Sequence, residues 1–218
     1  MPLRTRPVST PELYCITDAR LSTLAHEEQV ARMLDGGARL IQLRDKSMSD
    51  AQFTLTAQRC LAIAHWSDAM LVINDRVQIA AAIRADGLHL GQGDMPPAQA
   101  RRIVGEDMVI GLSTHNREQF LRALDEPVDY IAFGPVYGTS TKDNPDPTTG
   151  LDFIPEAVRL LGDDHRPLVL IGGITLENIP AIAALAPRAF HAVISAIVAR
   201  GYSIPARVRA FRKAIGAV

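Results

Sequence analysis

Two short polar segments, about 30 residues apart, carry the side chains in this sequence most suited to chemistry. Gln42–Lys46 includes two cations, and Ile73–Arg76 includes an amide and a carboxylate. Each segment follows a short apolar run of the kind that forms a buried parallel strand. Functional side chains of a (β/α)8 barrel lie at the carboxyl ends of its strands, so the pattern predicts a site at one end of such a barrel.

Charged side chains near these segments could together bind a diphosphate and a metal ion. Arg44 and Lys46, with Lys142 further along the chain, suit a polyanion, because a guanidinium can bind phosphate oxygens through two N–H groups. Asp75 and Asp94 follow adjacent predicted strands. Mg²⁺ in proteins is typically held by one or two carboxylates plus substrate phosphates, so the sequence predicts Mg²⁺ as the cofactor.

A second phosphate site is predicted at the ends of the last two strands. Gly172 and Gly173 follow one strand and Ser195 follows the other, where many barrels bind a single phosphate through backbone N–H groups. Each feature alone also fits a tight turn or a helix cap, and their coincidence at strand ends is what favours binding. Two phosphate sites require two phosphorylated substrates, or one substrate with phosphate at both ends.

The same residues also have interpretations without function. Arg44–Lys46 fits a solvated turn, and Asp75 beside Arg76 fits a helix cap with a surface ion pair. His89 falls inside a predicted strand and is expected to be a hydrogen-bonded interior residue, whereas His115 is better placed to contact a ligand. No Gly-x-Ser-x-Gly motif and no paired Cys and His are present, so nucleophilic catalysis is not indicated.

Eight short apolar runs alternate with helix-length amphipathic stretches. The predicted strands are Leu13–Thr17, Leu40–Leu43, Met70–Ile73, Gly87–Leu90, Val109–Leu112, Tyr130–Phe133, Leu168–Ile171 and Phe190–Ile194. The predicted helices are His26–Asp35, Ser49–His65, Val77–Arg84, Pro97–Val104, Asn116–Leu124, Ile154–Leu161, Leu176–Leu185 and Pro205–Ile215. The alternation predicts a single-domain α/β protein, a (β/α)8 TIM barrel over residues 12–218. An open doubly wound sheet is the alternative, but no Gly-x-Gly-x-x-Gly follows the first strand.

Composition limits the class of protein. The chain has 218 residues, 47% hydrophobic content and a net charge of −1 with scattered basic residues, so no nucleic-acid surface is predicted. No apolar run approaches the ~20 residues needed to cross a membrane. Cys15 and Cys60 are expected to be buried thiols.

Met1–Pro11 lacks the apolar region of a secretory signal, so we expect a flexible arm on a cytoplasmic protein. Pro135–Gly150, the longest irregular segment, is expected to form a lid.

The chain resembles the thiamine phosphate synthase family from about Leu13 to the C-terminus. Eight matches in the same order over about 180 residues are far more specific than any one motif. The matching stretches are Tyr14–Asp18, Gln42–Lys46, Ile73–Arg76, Gly87–Asp94, Gly111–His115, Gly134–Tyr137 with Thr139–Lys142, Ile171–Ile174 with Asn178, and Ile194–Ile197.

This resemblance implies a transferase with small-molecule substrates. The family joins a hydroxymethylpyrimidine diphosphate to a thiazole phosphate, which releases pyrophosphate and leaves thiamine phosphate. The implied ligands of the pyrimidine diphosphate are Gln42, Arg44, Lys46, Asn74, Ser113 and Lys142, of which Arg44, Lys46, Ser113 and Lys142 are expected to be catalytic. The implied thiazole-phosphate site is Thr139, Ser140, Thr141, Gly173, Ile194 and Ser195. Asp75 and Asp94 match Mg²⁺ ligands, and a homo-oligomer is compatible with the sequence.

Two other functions stay open at this level. A thiazole tautomerase of the same fold would bind a thiazole phosphate but would need no diphosphate site, so the cations and carboxylates of the diphosphate site count against it. A non-catalytic sensor of phosphorylated ligands would need the same fold and binding site without turnover.

Overall fold

The computed structural model describes residues 12–138 and 148–217, and its parallel strands close into a barrel. Each strand pairs with the next along the chain, and the first pairs with the last. The strands are β1 (Leu13–Ile16), β2 (Leu40–Leu43), β3 (Met70–Asn74), β4 (Gly87–Leu90), β5 (Val109–Thr114), β6 (Tyr130–Phe133), β7 (Leu168–Ile171) and β8 (Phe190–Val193). The predicted (β/α)8 barrel is confirmed, and the open-sheet alternative is wrong.

Helices separate consecutive strands and surround the barrel. They are α1 (His26–Asp35), α2 (Asp50–Trp66), α3 (Val77–Ile83), α4 (Pro97–Val104), α5 (Arg117–Leu124), α6 (Ile154–Leu161), α7 (Ile179–Leu185), α8 (Ser195–Val198) and α9 (Ile204–Ala214). Within the described ranges, none of them is long and apolar enough to cross a membrane.

Two of the predicted helix starts have a side-chain cap, and the predicted start of α7 is wrong. Ser49 forms a capping box with Gln52, and the side chain of Asn116 accepts a hydrogen bond from the Gln119 amide. The prediction of α7 began three residues too early, because the Asn178 carboxamide accepts from the Thr175 amide and holds the chain in a turn. The short helix α8 was not predicted, since four residues are too few to show a helical period.

Several sequence expectations concern segments that lie outside the described residues. These are the arm Met1–Pro11, the central part of the segment Pro135–Gly150, and four candidate ligands, Thr139, Ser140, Thr141 and Lys142. Their assignments stay predictions.

Alternation along the strands separates two apolar clusters. The smaller cluster fills the barrel interior and includes Tyr14, Val72 and Tyr130. The larger cluster lies between the outer faces of the strands and the helices, and it contains Cys15 and Cys60 as free, buried thiols, as predicted. The interior is tight beneath the site, because a Cβ on Gly111 would lie 1.9 Å from Cζ of Tyr130. Only glycine leaves room there for the tyrosine ring.

One buried histidine on the outer face of β8 is expected to make the stability of the fold depend on pH. His191 has no exposed surface, and neither of its ring nitrogens has a hydrogen-bond partner among the described residues. Burial lowers the pKa of His191 from 6.5 to about 4. The unfolded chain therefore binds a proton more readily than the folded chain, so the free energy of unfolding falls as the pH is lowered from about 6.5 towards 4.

Replacing this side chain with an apolar one should remove that part of the pH dependence. The pKa difference corresponds to roughly 3 kcal/mol once the pH is below 4. We expect His191→Leu to lose less stability than the unchanged protein between pH 7.5 and pH 4.5, as measured by urea unfolding. His165→Gln, at an exposed position, is the matched control and should follow the unchanged protein. Equal pH dependence in the unchanged protein and His191→Leu would contradict this account.

Candidate active site

A cleft opens at the carboxyl end of the barrel. It is lined by most of the candidate site residues, which lie far apart in sequence but at the ends of neighbouring strands. The candidates in its wall are Gln42, Arg44, Lys46, Asn74, Asp75, Asp94, Ser113, Gly173, Ile194 and Ser195. His115, the histidine expected to contact a ligand, also lines the cleft. The structure therefore brings the two predicted phosphate sites into one space.

Two carboxylates form an acidic pair, Asp75 and Asp94, on one side of the cleft. Burial raises the pKa of Asp75, and the charge of Asp94 and a side-chain hydrogen bond between the two raise it further, while Lys46 lowers it. The Lys46 ammonium lies 3.5 Å from Oδ2 of Asp75. The Gly91 amide donates to Oδ2 of Asp94 at 2.6 Å and fixes that side chain. The acidic pair thus places the partly buried carboxylate of Asp75 beside the exposed carboxylate of Asp94.

The backbone of Asp75 explains how its carboxylate reaches the cleft. Asp75 has a φ of 62°, in the left-handed region that few side chains adopt, and its amide donates to the carbonyl of His89 at 2.9 Å. The chain thus turns sharply at the end of β3. Left-handed backbone at a non-glycine residue is costly and often marks a functional position.

The chemistry of the acidic pair fits a divalent cation. Oxygen ligands suit Mg²⁺, and a cation between the carboxylates would remove the repulsion that raises the pKa of Asp75. The described residues contain no group of three or more His, Cys, Asp or Glu side chains placed to hold a metal ion. The remaining ligands would therefore come from substrate phosphate and water, which is the usual arrangement for Mg²⁺.

Arg44 is held at the cleft by residues that were not among the predicted site residues. Its Nη1 lies 3.3 Å from Oδ2 of the buried Asp18, and its amide donates to Oγ1 of Thr17 at 3.2 Å. The buried His26 ring bridges Oγ1 of Thr17, at 2.9 Å, and Oδ2 of Asp45, at 3.0 Å. One hydrogen-bonded network thus ties the end of β1 to the segment that carries both cations.

Arg76 holds the loop between β2 and α2 from its other side. Its guanidinium donates to the carbonyls of Met48, at 2.7 Å, and Asp45, at 3.2 Å, and to Oδ1 of Asp50 at 2.6 Å. Burial alone would raise the pKa of Asp45, but hydrogen bonds from His26, Ser47 and the Met48 amide hold the pKa below its usual range. The surface-pair interpretation of Asp75 and Arg76 is therefore wrong, because Arg76 orders the loop instead.

A chain of hydrogen bonds runs through the barrel beneath the cleft. We call it the interior chain, and its members in order are Gln42, Tyr14, Tyr130, His89 and Ser113. The Gln42 amide nitrogen donates to the Tyr14 hydroxyl at 2.9 Å, and the two tyrosine hydroxyls lie 3.0 Å apart. His89 contacts Tyr130 through Nδ1 and Ser113 through Nε2, each at 2.8 Å. His89 is thus the hydrogen-bonded interior histidine that was predicted, and the interior chain joins two candidate substrate ligands, Gln42 and Ser113.

Close approach of two loops shapes the opposite side of the cleft. The amides of Val136 and Tyr137 donate to the carbonyls of Ile171 and Gly172, so the loop after β6 continues the pairing with β7. A Cβ on Gly172 would lie 2.4 Å from Pro135, and both Gly172 and Gly173 have positive φ. The loop geometry requires these glycines, and both of them line the cleft.

The sequence matches a known protein family over most of its length. Residues 13–197 match the family described as Thiamine monophosphate synthase. The chain is 39% identical over 189 residues to a thiamine-phosphate synthase of Chlorobium phaeovibrioides, which covers 87% of each protein. It is 43% identical over 175 residues to that of Koribacter versatilis, covering 77% of this chain and 80% of that protein.

A solved structure shows the same fold over nearly the whole length. Thiamine phosphate pyrophosphorylase from Pyrococcus furiosus superposes with a TM-score of 0.85 and 29% sequence identity, over 97% of this chain and 98% of that one. The family match, residues 13–197, includes every strand and loop that lines the cleft.

Proposed function

The chain belongs to the thiamine monophosphate synthase family and is a transferase that makes thiamine phosphate, and from this premise we propose its substrates and the roles of its site residues. The substrates are 4-amino-2-methyl-5-hydroxymethylpyrimidine diphosphate and 4-methyl-5-(2-phosphoethyl)thiazole, and the second product is pyrophosphate. The observation that supports this assignment is the meeting of two cations, Arg44 and Lys46, with the acidic pair in one cleft.

The cleft divides between two substrates. The pyrimidine diphosphate is assigned to the ends of β2, β3 and β5, where its ligands would be Gln42, Arg44, Lys46, Asn74 and Ser113. The thiazole phosphate is assigned to Gly173, Ile194 and Ser195 on the opposite side. Lys142 for the diphosphate and Thr139, Ser140 and Thr141 for the thiazole phosphate rest on the sequence resemblance alone.

Mg²⁺ is the proposed cofactor, and Asp75 and Asp94 are the residues that would hold it. When bound, the ion supplies positive charge to the diphosphate oxygens. Lys46, which pairs with Asp75 in this structure, adds a mobile charge on the same side, since its side chain is 66% exposed. Lys46 can therefore move from the carboxylate to a phosphate without losing a buried contact.

The mechanism follows from the chemistry of the pyrimidine. The bond between its exocyclic carbon and the diphosphate oxygen breaks first, and the amino group of the ring delocalises the positive charge that develops on that carbon. The thiazole nitrogen then forms the new carbon–nitrogen bond with its lone pair. No proton has to be removed from that nitrogen, so the reaction needs no general base.

The side chains of the protein therefore have to stabilise the leaving group and align the second substrate. Arg44, held by Asp18, can donate to two phosphate oxygens as negative charge accumulates on them. One well-aimed group of this kind is often worth several kcal/mol in the transition state. Holding both substrates in one cleft removes the entropic cost of bringing them together at that moment.

One assay tests this proposal against the two alternatives. The purified protein is mixed with both substrates and Mg²⁺, and pyrophosphate and thiamine phosphate are measured. The proposal expects both products in equal amounts, with none in excess chelator. A tautomerase would convert only the thiazole, and a sensor would convert nothing. Either of those outcomes would refute the proposed reaction.

A further inference from the structure

Each hydrogen bond of the interior chain can be assigned a donor and an acceptor, because each phenol has only one proton to donate. The Tyr14 oxygen accepts from the Gln42 amide, so the single proton of this phenol must go to another partner. Within the described part of the chain, the Tyr14 hydroxyl contacts Gln42 and Tyr130. Tyr14 therefore donates to the Tyr130 oxygen, which leaves the Tyr130 proton for Nδ1 of His89.

The opposite direction would leave a buried donor unsatisfied. If Tyr130 donated to Tyr14, the Tyr14 oxygen would accept two hydrogen bonds and its own proton would have no acceptor among these partners. Both phenols are almost fully buried, and an unsatisfied buried donor costs free energy. Burial also raises the pKa of both tyrosines, so both phenols keep their protons.

The direction of the interior chain determines which atoms donate and which accept at His89 and Ser113. Nδ1 of His89 accepts from Tyr130, so a neutral imidazole carries its proton on Nε2. Nε2 then donates to Oγ of Ser113, 2.8 Å away. With its oxygen already accepting from His89, Ser113 has its own hydroxyl proton left to donate, and the cleft lies beside it.

We propose that the interior chain holds His89 as the neutral Nε2–H tautomer and thereby makes Ser113 a hydrogen-bond donor to a ring nitrogen of the substrate. Tyr14, Tyr130 and His89 are then positioning residues, because they act on the substrate through Ser113. That the ligand is an aminopyrimidine rests on the proposed function. The tautomer and the direction of the chain rest on the geometry of the protein alone.

The tautomer can be measured without substrate. The chain contains six histidines, and ¹⁵N-histidine labelling with two-bond ¹H–¹⁵N correlation spectra distinguishes the two neutral tautomers and the charged ring. The resonances of His89 are assigned by their loss in His89→Gln. We expect Nε2 to be protonated and Nδ1 to be unprotonated at pH 7.5. A protonated Nδ1, with or without a proton on Nε2, would overturn the proposal.

A single substitution at Gln42, the first member of the interior chain, should reverse the direction of its hydrogen bonds. An ionised Glu in place of Gln42 can only accept, so in that state Tyr14 would donate to Glu, Tyr130 to Tyr14, and Nδ1 of His89 to Tyr130. We expect Gln42→Glu to switch His89 to the Nδ1–H tautomer. Gln92→Glu is the matched control, because Gln92 contacts the backbone carbonyl of Ser113 and lies outside the chain. An unchanged tautomer in Gln42→Glu at a pH where the introduced carboxyl is ionised, or a switch in the control, would contradict the proposed direction.

Two phenylalanine variants test whether the chain acts on the substrate. Tyr130→Phe keeps the ring beside Gly111 but removes the donor to His89, so we expect the dissociation constant of the pyrimidine diphosphate to rise roughly tenfold by calorimetry. Tyr14→Phe leaves the Tyr130 proton available to His89 and should have a smaller effect. Equal effects would indicate a merely structural role and would overturn this part of the proposal.

The proposed ligand and the proposed direction of the interior chain can be refuted independently of each other. If the unchanged protein shows the Nε2–H tautomer but does not bind the pyrimidine diphosphate, the proposed function and the ligand assignment are refuted, and the direction of the chain stands. If it binds the ligand while Nδ1 is protonated, the proposed function stands and the inference about the chain is refuted.

Discussion

Replacing Asp75 with asparagine should lower turnover by roughly 10²-fold or more while the fold stays intact. The substitution removes one of the two negative charges that would hold Mg²⁺ beside the diphosphate. Asparagine tolerates left-handed backbone, so the φ of 62° at this position is retained. Turnover at saturating substrates and the affinity for Mg²⁺ by calorimetry in the presence of pyrophosphate are the measurements, and both should fall.

A matched control for this variant exists in the same molecule. Asp68 also has positive φ, at 56°, but lies between α2 and β3, at the opposite end of the barrel from the cleft. Asp68→Asn makes the same chemical change on the same kind of backbone and should leave turnover and Mg²⁺ affinity unchanged. If Asp75→Asn retains full activity, or if the unchanged protein works equally well in excess chelator, the acidic pair is not a metal site.

Replacing Arg44 with glutamine should lower kcat/KM for the pyrimidine diphosphate by roughly 10²–10³-fold. The guanidinium is only 11% exposed and lines the cleft, so its charge acts on the diphosphate with little screening by water. Inhibition by pyrophosphate should weaken in parallel, because pyrophosphate would contact the same side chain. Steady-state kinetics with pyrophosphate as a product inhibitor measure both effects.

Arg20 provides the control for Arg44, since it lies 3.8 Å from the same Asp18 carboxylate but is 49% exposed. Asp18 keeps hydrogen bonds from the amides of Arg20 and Leu21 in either variant, so neither change leaves a buried carboxylate without partners. We expect Arg20→Gln to change kcat/KM less than twofold. Equal losses in the two variants would show that stabilisation of Asp18, and not contact with the diphosphate, explains the effect of Arg44.

Local sequence determined the order of the elements and the place of the site. Buried parallel strands have to be short apolar runs, and polar residues that end such runs have to lie at one end of a barrel. The local pattern alone therefore places Gln42–Lys46 and Ile73–Arg76 at the site. The start of α2, where Ser49 caps its own helix, was predictable, whereas the start of α7 was not, because a turn involving Asn178 delays it.

The partners of the site residues were decided by the tertiary structure. Tyr14 and Tyr130 are 116 residues apart and look like ordinary core residues in sequence, because hydrogen bonding across a barrel depends on strand register and leaves no local pattern. His26 lies on a helix that follows β1, and the pairing of β1 with β2 brings its ring between Thr17 and Asp45. Sequence thus determines which chemistry is present, while packing of distant strands determines how each group is oriented and which partners it contacts.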